Sequence, residues 1–132
     1  MRIEARKEKL VEVLAFVDAE LEKAEVSVRA QTQLDIAVEE IFINIASYAY
    51  PDSEGFADIL LAIDPSARAV EITFIDSGIP YNPLAKEDPD VTLAAKDRQI
   101  GGLGIFMVKK SMDDVRYEYK DGQNILTIVK KY

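Results

Sequence analysis

Residues 36–50 read IAVEEIFINIASYAY, and this stretch decides the fold of the chain. It is apolar along most of its length, and it ends at residues 51–53, Pro-Asp-Ser, a combination that stops helices and starts turns. Thr32, Gln33 and Asp35 stand before it as helix-start signals. The stretch therefore predicts a long helix that is mostly buried.

This apolar helix carries three polar residues, Glu40, Asn44 and Ser47, at intervals that place them on one face. A solvent-exposed stripe is one interpretation, but such stripes are usually built from Glu, Lys, Gln or Arg, and Asn is a poor residue inside a helix. A carboxylate can accept a proton from a hydroxyl group or water, and an amide oxygen one turn away can bind Mg²⁺. Glu40 and Asn44 are therefore candidate catalytic and metal-binding residues.

Two further elements are predicted before this helix. Residues 3–5 form a candidate strand, and apolar residues at helical spacing predict an amphipathic helix from residue 8 to about residue 23. Residues 24–30 are expected to connect the two helices.

Strand-forming segments follow the long helix. Residues 58–63 and 70–75 are predicted to form a hairpin, and residues 115–120 and 124–130 form a second pair of strands. A helix over about residues 101–112 is expected between the two pairs. The order β, α, α, β, β, long loop, α, β, β predicts an α/β fold, a two-layer sandwich with a mixed sheet.

Residues 79–100 show no sustained periodicity and contain three prolines, although residues 91–96 have the pattern of a short helix. Loops of this length inside a compact domain usually have a function.

Length and composition limit what the chain can do. Its 132 residues, 48% of them hydrophobic, predict one domain over residues 1–132. Because the chain has no cysteine and no histidine, disulfides, imidazole bases and the usual zinc or copper sites are excluded, and a bound metal should be hard and oxygen-liganded. A net charge of −8 argues against direct binding of nucleic acid. With no apolar run of membrane-spanning length and no secretory signal, we expect a cytoplasmic protein that does not enter a membrane.

The string Asp76-Ser77-Gly78-Ile79-Pro80 ends the second predicted strand. By itself it is typical of an ordinary turn. Its functional interpretation is that Asp76 accepts a hydrogen bond from an exocyclic amine, while Gly78 lets the backbone approach a flat ring.

The string Gly101-Gly102-Leu103-Gly104 opens the last predicted helix. Free N–H groups and the helix dipole at such a position form an anion site, although a flexible hinge is the alternative. The string is not a P-loop, because no GK[ST] follows, and it is not a Rossmann fingerprint, because a long loop precedes it.

Three motifs follow one another in the chain: ExxxN on a helix, DxGxP after a strand and a glycine box after a long loop. In this combination and order they resemble the GHKL ATPases, the ATP-binding domains of the gyrase, histidine kinase and MutL type. The combination is far more specific than any one motif. The similarity covers about residues 33–130 and is greatest to the small anti-sigma-factor serine kinases, particularly in VEEIFIN at residues 38–44 and GLGIFMVKKSMD at residues 102–113. The resemblance implies the Bergerat-type ATP-binding fold.

The resemblance also implies a role for each motif. Asn44 would bind Mg²⁺ and Glu40 would activate the attacking hydroxyl group. Asp76 would recognise the adenine amino group, with Gly78 beneath the base. The ATP phosphates would be bound by the glycine box, which consists of Gly101, Gly102, Leu103, Gly104 and Ile105. Residues from about 81 to 100 would form a lid over the nucleotide.

Members of this branch bind a sigma factor in one state and phosphorylate a serine on a small anti-sigma-factor antagonist protein in another, often as homodimers. The resemblance therefore implies a protein serine/threonine kinase that uses ATP and Mg²⁺. The sequence leaves open the partner, the phosphorylated serine and the oligomeric state.

Two departures from the family pattern keep other functions open. Kinases of this branch commonly carry an arginine just before the glycine box, where this chain has Ile100, and loss of that cation would weaken phosphoryl transfer. Many relatives place a threonine near the adenine where this chain has Asn124, and Thr127 is offset from that position. The alternatives are a nucleotide-gated module that holds a partner without transferring phosphate, and an accessory ATPase domain in which Glu40 activates water.

Overall fold

The structure is a computed structural model that describes residues 1–85 and 102–132. Most of the expected lid, the short helix expected at residues 91–96, Ile100 and Gly101 lie outside the described residues, as do the side-chain surroundings of Gly102 and Leu103.

The described chain forms three α-helices and five strands. The helices are α1 at Leu10–Lys23, α2 at Val28–Tyr48 and α3 at Gly102–Ser111, with short 3₁₀ turns at Lys7–Lys9 and Pro83–Ala85. The strands are β1 at Arg2–Glu4, β2 at Phe56–Asp64, β3 at Ala69–Asp76, β4 at Asp114–Lys120 and β5 at Gln123–Lys131. The predicted order of elements is confirmed.

Helix α2 begins at Val28, about two turns before the apolar stretch that starts at Ile36. Ser27 caps it, because the hydroxyl oxygen of Ser27 accepts a hydrogen bond from the backbone N–H of Ala30 at 3.2 Å. Ala30 and Leu34 in the added turns are buried. The burial of these side chains extends the helix into residues that had been assigned to the connector.

The sheet has the strand order β1-β2-β3-β5-β4. The two-layer α/β prediction is confirmed, but the expected mixture of parallel and antiparallel neighbours is wrong, since every adjacent pair of described strands is antiparallel. After the connection through α3, strand β4 does run in the same direction as β3. The β4–β5 hairpin then inserts β5 between β3 and β4, so the two parallel strands never become neighbours.

The helices cover one face of the sheet and enclose a single core. Its largest fully buried side chains come from both layers: Phe42, Phe74, Leu21, Leu34, Ile41, Ile59, Ile72 and Ile128. Burial alternates along β3, so the other face of this strand stays open, as is common for antiparallel sheets. Among the described helices, none is long and apolar enough to cross a membrane.

Backbone contacts join the end of α2 to the end of β3. The N–H of Ile79 donates to the carbonyl oxygen of Ala49 at 2.9 Å. The hydroxyl of Tyr50 donates to the carbonyl oxygen of Phe56 at 2.7 Å and accepts from the N–H of Ser77 at 2.8 Å. These bonds fix the turn after β3 against the last turn of α2.

A pair of carboxyl groups lies between α1 and α2. Asp35 is hydrogen-bonded to Asp18, which also accepts a hydrogen bond from the Gln31 amide at 3.1 Å. One oxygen of Asp35 is buried and has no hydrogen-bond partner among the described residues. Burial, the hydrogen bond to Asp18 and the charges of Asp18 and Glu22 raise the pKa of Asp35 to about 7.

This raised pKa makes the free energy of unfolding depend on pH. Between about pH 4 and pH 7 the folded chain holds a proton on Asp35 that the unfolded chain releases, so the free energy of unfolding falls as pH rises through this window. We expect Asp35→Asn to reduce that fall and to raise the melting temperature at pH 8 above that of the wild type. Thermal unfolding at pH 5 and pH 8 measures both effects.

Glu39→Gln is the matched control, because Glu39 is an exposed carboxylate on the same helix. It should leave the difference between the two pH values unchanged. If Asp35→Asn behaves like this control, the carboxyl pair does not hold the proton.

Candidate active site

A cleft opens between the second half of α2, the end of β3, the start of α3 and the strands β4 and β5. Its empty volume, including the open mouth, is about 470 Å³. Its lining is mostly apolar, with a few polar groups, and consists of Ile41, Asn44, Ile45, Tyr48, Ala49, Phe74, Asp76, Ile79, Tyr81, Pro83, Ile105, Tyr117, Asn124 and Leu126.

Asp76 supplies a buried carboxylate at one end of the cleft, with 6% of its surface exposed. Its Oδ1 accepts hydrogen bonds from the Gly78 N–H and the Asn124 amide, both at 2.9 Å. Gly78 lies so close to α2 that a Cβ there would stand 2.2 Å from the carbonyl oxygen of Ala49. The Gly78 backbone thus lies against the protein's own helix end, and its approach to a flat ring stays a prediction.

Asn44 and Glu40 lie one turn apart on α2, and the Asn44 amide donates to Glu40 Oε1 at 3.3 Å. Asn44 lines the cleft, while Glu40 does not. The Glu40 carboxyl group instead borders α3, where a Cβ on Gly104 would stand 2.1 Å from it. Ser47 is half-buried and is not part of the lining.

Helix α3 begins at Gly102, as the glycine box predicts, and packs on α2. Ile105 is 6% exposed and contributes an apolar wall to the cleft. The structure therefore brings the end of β3, Asn44 of α2 and the start of α3 around one cavity. Gly101 lies outside the described residues.

Asn124, which departs from the family pattern in sequence, lies in the cleft. It is buried and donates to Asp76, whereas Thr127 pairs with Thr73 through their hydroxyl groups at 3.3 Å. Because side chains alternate along a strand, Asn124 and Thr127 point to opposite faces of the sheet. This alternation is the signal in the sequence that could have placed Asn124, and not Thr127, in the cleft.

The comparison with known families agrees with this geometry. A model of the histidine kinase-like ATPase domain matches residues 3–130. This chain belongs to the histidine kinase-like ATPase domain family.

Relatives of this histidine kinase-like domain include proteins named as kinases. The serine/threonine-protein kinase BtrW of Bordetella bronchiseptica is 29% identical over 102 residues, which cover 77% of this chain and 71% of that protein. The serine-protein kinase RsbW of Listeria monocytogenes is 29% identical over 111 residues, covering 79% of this chain and 68% of that protein.

A solved structure shares the fold of this histidine kinase-like domain. It is the histidine kinase domain from the Erythrobacter litoralis EL346 blue-light activated histidine kinase, with a TM-score of 0.60 and 14% sequence identity. The match covers 94% of this chain and 59% of that longer chain. At this identity the likeness supports the fold alone.

Three tyrosines of the domain border the cleft and were not predicted as site residues. The rings of Tyr48 and Tyr81 lie 6.4 Å apart between centroids and are tilted by 41°. Burial raises the pKa of Tyr117 above its usual value, so its hydroxyl group stays protonated at neutral pH. These rings give the cleft aromatic walls suited to a flat ligand.

The donor set fits Mg²⁺ only when a ligand adds oxygens. The described residues contain no group of three or more acidic side chains arranged to hold a metal. The oxygen of the Asn44 amide accepts no hydrogen bond from a described donor. In nucleotide sites Mg²⁺ typically takes one or two protein oxygens together with phosphate oxygens and water.

Two glycines of the site should respond differently to an added methyl group. Gly78→Ala places a Cβ against a backbone carbonyl oxygen that cannot move without shifting α2, so we expect a loss of about 1–3 kcal/mol in the free energy of unfolding. Gly104→Ala meets only the end of the Glu40 side chain, which can rotate away, and alanine favours the helix. We therefore expect Gly104→Ala to cost less than 1 kcal/mol by the same helix preference. Urea unfolding of both variants measures the difference, and equal losses would contradict the close contact at Gly78.

Proposed function

We propose that this domain binds ATP with Mg²⁺ in the cleft and transfers the terminal phosphoryl group to a serine of a small regulatory antagonist protein, as an anti-sigma-factor type protein kinase. The observation that carries the proposal is that Asp76, Asn44 and the start of α3, which are far apart in sequence, line one cleft. The names of the kinase relatives support the same reaction.

The base would bind at the Asp76 end of the cleft. The second carboxylate oxygen of Asp76, Oδ2, can accept a hydrogen bond from the amino group of adenine. The apolar and aromatic walls of the cleft can cover the ring. Gly78 would serve this end of the cleft by keeping the turn after β3 close to α2.

The phosphates would bind toward Asn44 and α3. Backbone N–H groups at the start of a helix and the helix dipole together favour an anion, which is the role proposed for Gly101, Gly102, Leu103, Gly104 and Ile105. The Asn44 amide oxygen would join the Mg²⁺ ion that bridges the phosphates. This local arrangement lets a chain of net charge −8 accept an anionic ligand.

Glu40 would act as the general base. As the serine oxygen bonds to the terminal phosphorus, Glu40 accepts the hydroxyl proton, and the bond between that phosphorus and the bridging oxygen breaks with its electron pair leaving on ADP. The Asn44 amide donates a hydrogen bond to Glu40 at 3.3 Å and would orient its carboxyl group.

The partners belong to the same proposal. A sigma factor and a small antagonist protein would bind in alternation, in the cytoplasm, and the domain would act as a homodimer. Nucleic acid is not a partner in this proposal, because the negative net charge opposes phosphate binding outside the cleft.

One observation favours a second function, a nucleotide-gated binding module without phosphoryl transfer. The Glu40 carboxyl group lies against Gly104 and outside the lining of the cleft, so in this arrangement it is not presented to a hydroxyl group. Ile100, in place of the common arginine, also removes a cation that would stabilise the transferring group.

Asn44→Ala tests the metal-binding assignment. Because the variant loses the proposed Mg²⁺ ligand, we expect it to lose the Mg²⁺-dependent part of ATP binding while keeping its fold. Titration calorimetry with ATP in Mg²⁺ and in EDTA measures this, and Ser47→Ala on the same helix face is the control. An unchanged ATP affinity in Mg²⁺ would remove Asn44 from the site.

Glu40→Gln separates the two functions. The variant should bind ATP as the wild type does but lose transfer by about 10²- to 10⁴-fold, the usual contribution of a general base. The assay combines the purified protein, labelled ATP, Mg²⁺ and the proteins encoded beside it, and follows label on a serine; Glu39→Gln is the control for a changed charge. A wild type that binds ATP but labels no partner would favour the binding module, and a fully active Glu40→Gln variant would exclude Glu40 as the base.

A further inference from the structure

Asn124 is the most completely bonded polar side chain of the cleft. Its amide nitrogen donates to Asp76 Oδ1 and to the carbonyl oxygen of Ile79, both at 2.9 Å. Its amide oxygen accepts from the backbone N–H of Tyr81 at 3.1 Å and from the hydroxyl group of Tyr117. Both donors and both acceptor positions of the amide are therefore used, and the side chain, 6% exposed, has one orientation that satisfies all four.

This orientation determines how Asp76 faces the cleft. The Asp76 Oδ1 atom already accepts two hydrogen bonds, one from Asn124 and one from the Gly78 N–H. Within the described part of the chain no donor reaches Oδ2, and this atom is not among the buried unpaired atoms. One oxygen is thus held by the protein, and the other is left open as an acceptor.

Two backbone groups fix which end of the Asn124 amide faces Asp76. The Tyr81 N–H can only donate, so it holds the amide oxygen, and the Ile79 carbonyl oxygen can only accept, so it holds the amide nitrogen that also donates to Asp76. The Tyr117 hydroxyl group is a second donor to the same amide oxygen.

Resting on the proposed function, we propose that Asn124, held by the Tyr117 hydroxyl group and the Tyr81 N–H, is a positioning residue that sets the preference of the cleft for a purine with an exocyclic amine. A purine that lacks this amine leaves the open oxygen of Asp76 without its donor. Hydrogen bonds to charged groups are stronger than those between neutral groups, and a site that buries an acceptor discriminates against a ligand without the donor.

The test compares ATP with purine riboside triphosphate, which lacks only the 6-amino group. We expect the wild type to bind ATP about 10- to 100-fold more tightly, the range for a hydrogen bond to a charged group. Asn124→Asp exchanges one donor nitrogen for oxygen and keeps acceptors for Tyr117 and Tyr81. It should lower ATP affinity and reduce the ratio to about threefold or less, because Asp76 loses one of its two anchors and faces a second carboxyl group.

The ratio is the readout that a purely structural role would not change. A cleft that is merely loosened binds both nucleotides more weakly and keeps the ratio. Tyr117→Phe removes only the hydroxyl donor to Asn124, retains the ring, and should reduce the ratio severalfold even if Asn124→Asp does not fold. Thr127→Val, on the opposite face of β5, is the matched control and should keep the wild-type ratio.

The outcomes distinguish this inference from the proposed function. A wild type that binds neither nucleotide would overturn both. A wild type that prefers ATP, with the same ratio in Asn124→Asp and Tyr117→Phe, would overturn the role of Asn124 and leave the proposed function standing. A wild type without any preference would overturn the assignment of Asp76 Oδ2 as the amine acceptor and the positioning role with it.

Discussion

The candidate site depends on the contact between the turn after β3 and the last turn of α2. There the Ile79 N–H donates to the Ala49 carbonyl oxygen, and Gly78 lies too close to α2 to accept a side chain. This contact joins the helix layer to the sheet at the ends of α2 and β3, the elements that carry Asn44 and Asp76. Without it, Asp76 at the end of β3 and Asn44 on α2 would not face the same cavity. A glycine is needed there for packing, because a Cβ would meet the Ala49 carbonyl oxygen.

A second constraint is the alternation of side chains along β5. The strand sends Leu126 and Ile128 into the core and, by the same alternation, sends Asn124 into the cleft. The site is thus an extension of the hydrophobic core, in which a few polar groups replace apolar ones where the helix layer stops covering the sheet. Buried polar groups in such a position must be bonded, and the network around Asn124 meets that requirement.

The position of Glu40 shows that helical spacing alone does not predict which residues reach the cleft. Helical periodicity places Glu40 and Asn44 on one face, and the hydrogen bond between them confirms this. Only Asn44 reaches the cleft, because α3 packs beside Glu40 at Gly104. Two residues with the same predicted environment therefore differ in accessibility, and this difference separates a kinase from a nucleotide-gated binding module as the proposed function.

Periodicity and turn residues act locally, so the sequence alone was enough to predict the type and order of the helices and strands in residues 1–85 and 102–132. It also identified Asn44 as a site candidate, because Asn is unusual inside a helix, and it identified Asp76 and Gly78 through the combination of motifs rather than through their own turn. The early start of α2, the fully antiparallel sheet and the parts played by Asn124, Tyr117 and Tyr81 were decided by the tertiary structure. Each of these depends on which distant segments meet, as when β5 inserts beside β3 and carries Asn124 to Asp76, and contacts between residues 48 positions apart leave no local signal in the chain.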